Sequence, residues 1–248
     1  TQEFAAVVAA VEADRVALDR TAFYPGGGGQ PNDVGWLELG GQRLAVTKVK
    51  KEGDALWHWL ATDGGLPLIT PGAAIHGIVD WERRYRLMRT HTAMHILCGV
   101  VFRDYGASVT GGDMEPLHGR MDFEFESLTK DLVGVIEEAV NREVAADRLV
   151  RVAILPRDDA FQIPDLIRTK INLLPPEISH IRTIELVGLD LQADGGTRCH
   201  RSNRCGALVY GFGKAPHKPD RSGHGFPRGG GIERPSPECG VLGVRALT

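Results

Sequence analysis

The chain has 248 residues, 42% of them hydrophobic and 25% charged, with a formal net charge of −3. That is enough for one large domain or two ordinary ones, with the composition of a globular protein. No apolar run approaches the length of a membrane span, and the segment from Thr1 to Ala6 has neither the basic nor the apolar region of a secretory signal. Charge is unevenly placed. Arg198–Thr248 holds nine Lys or Arg against three Asp or Glu, which leaves −9 on the first 197 residues. A mildly acidic body argues against a general nucleic-acid coat while allowing local basic patches. Three of the four cysteines lie near the C-terminus and do not resemble a disulfide framework, so a reducing cytoplasm is expected. With no initiator Met and a start inside a strand-like pattern, the chain reads as a truncated or processed piece.

Residues 1–79 read as an N-terminal β domain. Phe4, Val7, Val8, Val11, Val16 and Leu18 lie in short runs around polar turns. Trp36–Leu39, Leu44–Val49, Ala55–Leu60 and Ile75–Val79 follow, separated by Gly- and Asp-bearing turns. Short strands at this spacing suggest a small barrel or sandwich. The pattern changes after Asp80. From Arg86 to about Tyr105 apolar residues recur at helical spacing through Leu87, Ala93, Met94, Leu97, Val100 and Val101. Met121–Glu126 alternates like a half-buried strand. Ser127 or Thr129 then caps a helix to about Asp147, with Leu132, Val133, Ile136, Val140 and Val144 on its stripe. Leu149–Leu155, Ile181–Leu186 and Leu189–Gln192 read as further strands. Residues 80–197 are therefore an α+β domain with an antiparallel sheet and helices. From 198 to 248 Gly, Pro, Arg and His dominate and periodicity disappears, which marks an atypical, disordered or frame-altered tail.

Three segments carry chemistry. His91-Thr-Ala-Met-His95 places two imidazoles four residues apart on one helix face, a spacing that suits a metal ion, zinc above all. With nine histidines in the chain, that spacing alone is weak. No Glu follows His91, so the zincin pattern is absent and a zinc peptidase is disfavoured. Arg83, Arg84, Arg86 and Arg89 could meet phosphates, although a solvated helix start explains such a cluster as readily. The second segment, Thr21-Ala-Phe-Tyr-Pro-Gly-Gly-Gly-Gly-Gln30, offers backbone N–H groups and positive φ, but neither a Walker loop nor a dinucleotide fingerprint. The third, Leu189-Asp-Leu-Gln-Ala-Asp194-Gly-Gly-Thr197, is a strand entering a tight turn.

Together, over about residues 2–197, these segments closely resemble the stand-alone alanyl-tRNA editing proteins. Those are relatives of the editing domain of alanyl-tRNA synthetase, and the intermediate-length form fits best. Val79-Asp-Trp-Glu-Arg-Arg-Tyr and Arg168-Thr-Lys-Ile-Asn-Leu-Leu-Pro share the resemblance. It implies hydrolysis of the ester in Ser-tRNA(Ala), or Gly-tRNA(Ala), with His91 and His95 as ligands of Zn2+. Thr21 and Gln30 would act in the amino-acid pocket, lined by Gly26, Gly27, Gly28 and Gly29 and by Asp194, Gly195, Gly196 and Thr197. Arg168 and Lys170 are candidate tRNA phosphate contacts. The expected partner is mischarged tRNA(Ala), with no membrane and no oligomeric state implied.

The resemblance breaks after Thr197. The family pattern continues Gly-Gly-Thr-His-Val and its histidine completes the metal site, whereas Arg198, Cys199 and His200 stand here. A reading-frame change just after Thr197 is the preferred explanation. A shifted ligand set using Cys199 or His200 is the second, although adjacent residues rarely serve one ion. A separate zinc module of Cys199, Cys205, His217, His224 and Cys239 matches no standard spacing. The functional alternatives to a hydrolase are an inactive relative that binds tRNA or a synthetase, and a fragment of alanyl-tRNA synthetase.

Overall fold

Alternating apolar residues along the first eighty positions close into a barrel. The computed structural model describes residues 1–61, 67–170, 172, 174–212 and 240–246. Strands β1 (Glu3–Glu12), β2 (Arg15–Leu18), β3 (Gly35–Leu39), β4 (Gln42–Glu52), β5 (Ala55–Leu60) and β6 (Ala74–Val79) pair in the order β1-β2-β5-β4-β3-β6, every pair antiparallel. Period-2 alternation sends Val8, Val16, Leu37, Val46, Val49, Leu60, Ile75 and Val79 inward, where they pack around Phe23. Each such side chain contributes roughly 1.5–3 kcal/mol by leaving water. Closure removes the exposed edges that so short a sheet would otherwise present.

Helix α1 (Trp81–Tyr105) follows. It begins five residues earlier than its apolar periodicity predicts, because Asp80 caps it: the carboxylate accepts from the Arg83 N–H at 3.0 Å. Clustering of contacts divides the chain into two units, with the boundary inside α1 between His91 and Thr92. The first unit comprises Thr1–His91, Met114–Pro116 and Gly195–Arg198. Among the described residues no helix is long and apolar enough to cross a membrane.

The second unit is α+β. Ile96, Leu97, Val100 and Val101 of α1 are fully buried within it. The hairpin strands β7 (Val109–Glu115) and β8 (His118–Phe123) precede α2 (Lys130–Ala145). Thr129 is the cap of α2, its hydroxyl accepting from the Leu132 N–H at 3.2 Å. Strands β9 (Val150–Pro156), β10 (His180–Leu186) and β11 (Asp190–Ala193) form an antiparallel sheet in the order β11-β10-β9. Two further strands, β12 (Leu208–Phe212) and β13 (Gly240–Ala246), join β8 and β7 in the order β12-β13-β8-β7, with β13 parallel to both neighbours. The stretch read from the sequence as an atypical tail thus contains, among its described residues, a 3-10 turn at Ser202–Cys205 and these two strands. His217, His224 and Cys239 lie outside the described residues.

Candidate active site

In the first unit the glycine loop is a tight turn. The N–H of Gly27 donates to the Gln30 carbonyl at 3.0 Å, and the Gln30 N–H returns to the Gly27 carbonyl at 3.1 Å. Gly26, Gly27, Gly28 and Gly29 all have positive φ, between 57° and 126°. An L side chain would be strained at each of these positions, which is why the run is glycine. The Tyr24 hydroxyl donates to the Gly27 carbonyl at 2.9 Å.

Gln30, only 2% exposed, ties this loop to two other sequence-predicted segments. Its Oε1 accepts from the Thr197 N–H at 2.9 Å and lies 2.8 Å from His91 Nδ1, while its Nε2 donates to Thr197 Oγ1 at 2.9 Å. Gly196, at φ +71°, leaves no room for a side chain. A Cβ there would lie 2.5 Å from His91 Cε1 and 2.6 Å from Gln30 Oε1. Gly195 is equally near the loop, since its Cβ would sit 3.7 Å from the Tyr24 hydroxyl. Three segments distant in sequence, the glycine loop, α1 and the Gly-Gly-Thr turn, therefore meet at one amide side chain.

Thr21 has a partner that the sequence reading missed. Its Oγ1 lies 2.9 Å from His58 Nε2 and accepts from the Phe23 N–H at 3.1 Å. The other imidazole nitrogen, Nδ1, faces the Val16 carbonyl at 3.2 Å. A carbonyl can only accept, so Nδ1 carries the proton, Nε2 accepts, and the threonine hydroxyl is fixed as a donor to His58. One lone pair of Oγ1 then remains to accept from a third group. The parity of β5 held the clue: His58 shares the inward phase with Leu60, so a polar residue was pointing into the barrel.

Burial drives the His58 imidazole down from 6.5 to about 4, against the smaller opposing effect of backbone hydrogen bonds. Between those values the unfolded chain holds a proton that the folded chain does not. Stability therefore rises with pH across this window and is complete above it. The contribution is roughly 3 kcal/mol. Urea unfolding at pH 4.5 and pH 7 is expected to show that wild type loses much of this increment on acidification, and that His58→Gln loses measurably less.

A second unexpected pair sets the approach to the loop. Asp33 and Arg84, with side chains 1% and 8% exposed, form a buried salt bridge. Arg84 Nε lies 2.8 Å from both carboxylate oxygens, and its Nη2 also bonds Asp33 and donates to the Ala22 carbonyl at 2.7 Å. Asp33 in turn accepts from the Tyr24 N–H at 2.6 Å. The segment from Ala22 to Tyr24 is thereby fixed to the first turn of α1. Of the four arginines considered for phosphates, Arg84 is buried in this pair, Arg83 donates to the Asn32 carbonyl at 2.7 Å and Arg86 pairs with Glu82 at 2.5 Å. The first two therefore serve the fold.

In the second unit, His95 Nε2 lies 3.2 Å from Asp190 Oδ2, and both side chains are 2% exposed. Asp190 also accepts from Arg168 Nε at 3.1 Å and Nη2 at 2.7 Å, and from Gln192. Burial works to raise the Asp190 carboxyl, but the interaction with His95, followed by the Gln192 hydrogen bond and the Arg168 charge, outweighs it and holds the group below its usual range. Burial, with Asp190 nearby, pushes the Cys98 thiol up, so it is an inert core residue. Arg168 is 10% exposed and covers the Phe102 ring at 3.9 Å. Its Nη1 is buried with no hydrogen-bond partner. Lys170 is on the surface, 61% exposed, and pairs with Glu124 at 2.6 Å.

The metal ligands expected from the resemblance do not assemble into a complete set. His91 and His95 share α1, and His95 Nδ1 is buried with no hydrogen-bond partner, a state that suits a ligand nitrogen. Yet no group of three or more His, Cys, Asp or Glu among the described residues is placed to hold an ion. Cys199 is 2% exposed, its N–H donating to Thr92 Oγ1 at 2.9 Å, whereas His200 is exposed. The two adjacent candidates thus occupy opposite environments. Arg198, 7% exposed, donates from Nη1 to the Gly195 and Thr197 carbonyls at 3.2 and 3.1 Å. A guanidinium has no lone pair to give a metal. The described residues therefore do not fit a closed zinc centre.

The family model for tRNA synthetases class II (A) matches residues 1–83. A protein of Saccharolobus solfataricus named alanyl-tRNA editing protein AlaX-M is 39% identical over 211 residues, covering 84% of this chain and 86% of that protein. Its namesake from Methanosarcina acetivorans is 36% identical over 201 residues, with coverages of 79% and 82%. The alanine–tRNA ligase of Thermococcus kodakarensis is 35% identical over 210 residues, but those amount to 22% of the ligase. The chain thus matches a class II (A) synthetase family over its first 83 residues and, over most of its length, both free-standing editing proteins and part of an alanine–tRNA ligase. The chain belongs to the AlaX-M family of alanyl-tRNA editing proteins.

Proposed function

We propose that the chain is an aminoacyl-tRNA hydrolase that removes serine, and to a lesser extent glycine, from mischarged tRNA(Ala). The observation that carries this reading is the convergence of Gln30, His91, Gly196 and Thr197 beside the glycine loop. An aminoacyl ester is already activated, so holding it and a water in register while donating hydrogen bonds to the carbonyl oxygen suffices for hydrolysis. The loop of Gly26–Gly29 is the proposed source of those N–H donors. Thr21, its proton committed to His58, accepts from the serine hydroxyl. Alanine is smaller than serine and cannot be excluded by size, so discrimination depends on this positive contact. A substrate without the hydroxyl leaves the Thr21 acceptor unpaired.

Zinc bound by His91 and His95 belongs to the proposal as a binding claim alone, because the third and fourth donors are not assembled. A cytoplasmic setting belongs to the same reading and rests on four cysteines whose placement does not resemble a disulfide framework. Arg168 and Lys170 remain the proposed phosphate contacts. Arg198 favours one second reading, an inactive relative that binds tRNA without turning it over.

Deacylation of Ser-, Gly- and Ala-tRNA(Ala), with zinc content measured on the same preparation, separates the two. We expect release of serine to exceed release of alanine by about tenfold or more. A folded, zinc-replete sample that hydrolyses none of the three would establish the binding-only reading.

A further inference from the structure

An outer face of the barrel carries three of the four tryptophans, each with a cation over its ring. On adjacent strands Arg15, Trp59 and Lys48 form one cross-strand row, and Ala17, Trp57 and Lys50 form the next. The Arg15 guanidinium stands 4.4 Å from the Trp57 ring centre and 5.1 Å from that of Trp59, with Lys48 Nζ 4.7 Å from Trp59. Arg43 lies 4.4 Å from the Trp36 ring centre. Strand β4, from Gln42 to Glu52, brings Arg43, Lys48, Lys50 and Lys51 with one carboxylate, on a body whose first 197 residues carry −9. Arg15 is engaged by Glu12 and Glu52, and Lys50 by Glu52 at 3.1 Å. Lys48 and Lys51 are exposed, with no carboxylate partner among the described residues. The free positive charge of the strip is therefore theirs.

We infer that this face of the barrel binds the phosphate backbone of the tRNA, an inference that rests on the editing reading above only in naming the nucleic acid. Two features favour a phosphate chain. Cations concentrated on one strand of an otherwise acidic body create a local field that attracts a polyanion. Tryptophan faces also hold Arg15 and Lys48 in place, so part of the side-chain entropy that phosphate contact would cost is already lost on folding. Nothing in catalysis as proposed uses these residues, which lie on β2, β4 and β5 and point away from the barrel core.

The probe is uncharged, fluorescently labelled tRNA(Ala) transcript, titrated with the full chain and followed by anisotropy at several salt concentrations. Lys48→Glu combined with Lys51→Glu is expected to weaken binding by about tenfold or more. The slope of log Kd against log salt is expected to fall by about two. Lys48→Gln with Lys51→Gln, which keeps the surface polar without reversing it, should give a smaller loss in the same direction. Affinity within about twofold of wild type for both double variants would overturn the assignment. Deacylation by the wild type is scored separately. Lysine-dependent binding without hydrolysis would remove the hydrolase reading and leave this surface standing, whereas hydrolysis with lysine-independent binding would do the reverse.

Discussion

Gly196→Ala is expected to lower deacylation of Ser-tRNA(Ala) by about a hundredfold or more while the protein stays folded. Two separate facts require glycine there. The backbone sits at φ +71°, where a Cβ is strained, and that Cβ would fall 2.5–2.6 Å from His91 and Gln30. Something must move, and the movable partner is the Gln30 amide with its bonds to Thr197 and His91. A displacement of about 1 Å suffices for such a loss. Gln30→Ala should reproduce most of the defect, because it removes the same clamp without strain. Activity within a few-fold of wild type in both variants would show that the junction of loop, helix and turn is architectural only.

The largest expected loss of stability follows from Arg84→Met. Asp33 would be left buried with its carboxylate uncompensated, and such losses run to about 3–5 kcal/mol. The double substitution Arg84→Met with Asp33→Leu should recover part of that, since no lone charge remains. Recovery would be incomplete, because the Tyr24 N–H loses its acceptor and Ala22 loses the guanidinium. Denaturant titration of the three proteins checks both statements. A loss under about 1 kcal/mol for Arg84→Met would mean that Asp33 takes up its proton, or reaches water, at little cost.

Both predictions concern residues of unequal legibility. Gly196 was visible in the sequence as part of Gly-Gly-Thr, and the resemblance implied only that it lines the amino-acid pocket. Arg84 was one of four similar arginines, and Asp33 carried no signal at all. Periodicity is a local property, so it located Ala55–Leu60 to the residue and α2 to within a turn. It missed β7, where Gly111 and Gly112 interrupt the alternation, and β12 and β13, which lie in a stretch without pattern. Their pairing with β8 is a long-range choice that no local window contains.

By itself the sequence determined a β domain followed by an α+β domain, the two helical histidines, the glycine loop and the Gly-Gly-Thr turn. Each of these is written in spacing or in residue type over a dozen positions or fewer. Only the tertiary structure decided what those pieces do to one another. It put Gln30 between loop, helix and turn, turned the Thr21 hydroxyl toward His58, and paired Arg168 with Asp190. It also left the histidine pair without a third donor among the described residues. The reason is physical. Buried polar groups must find partners, and the partner is whichever group the packed chain brings within about 3 Å, not the one nearest in sequence.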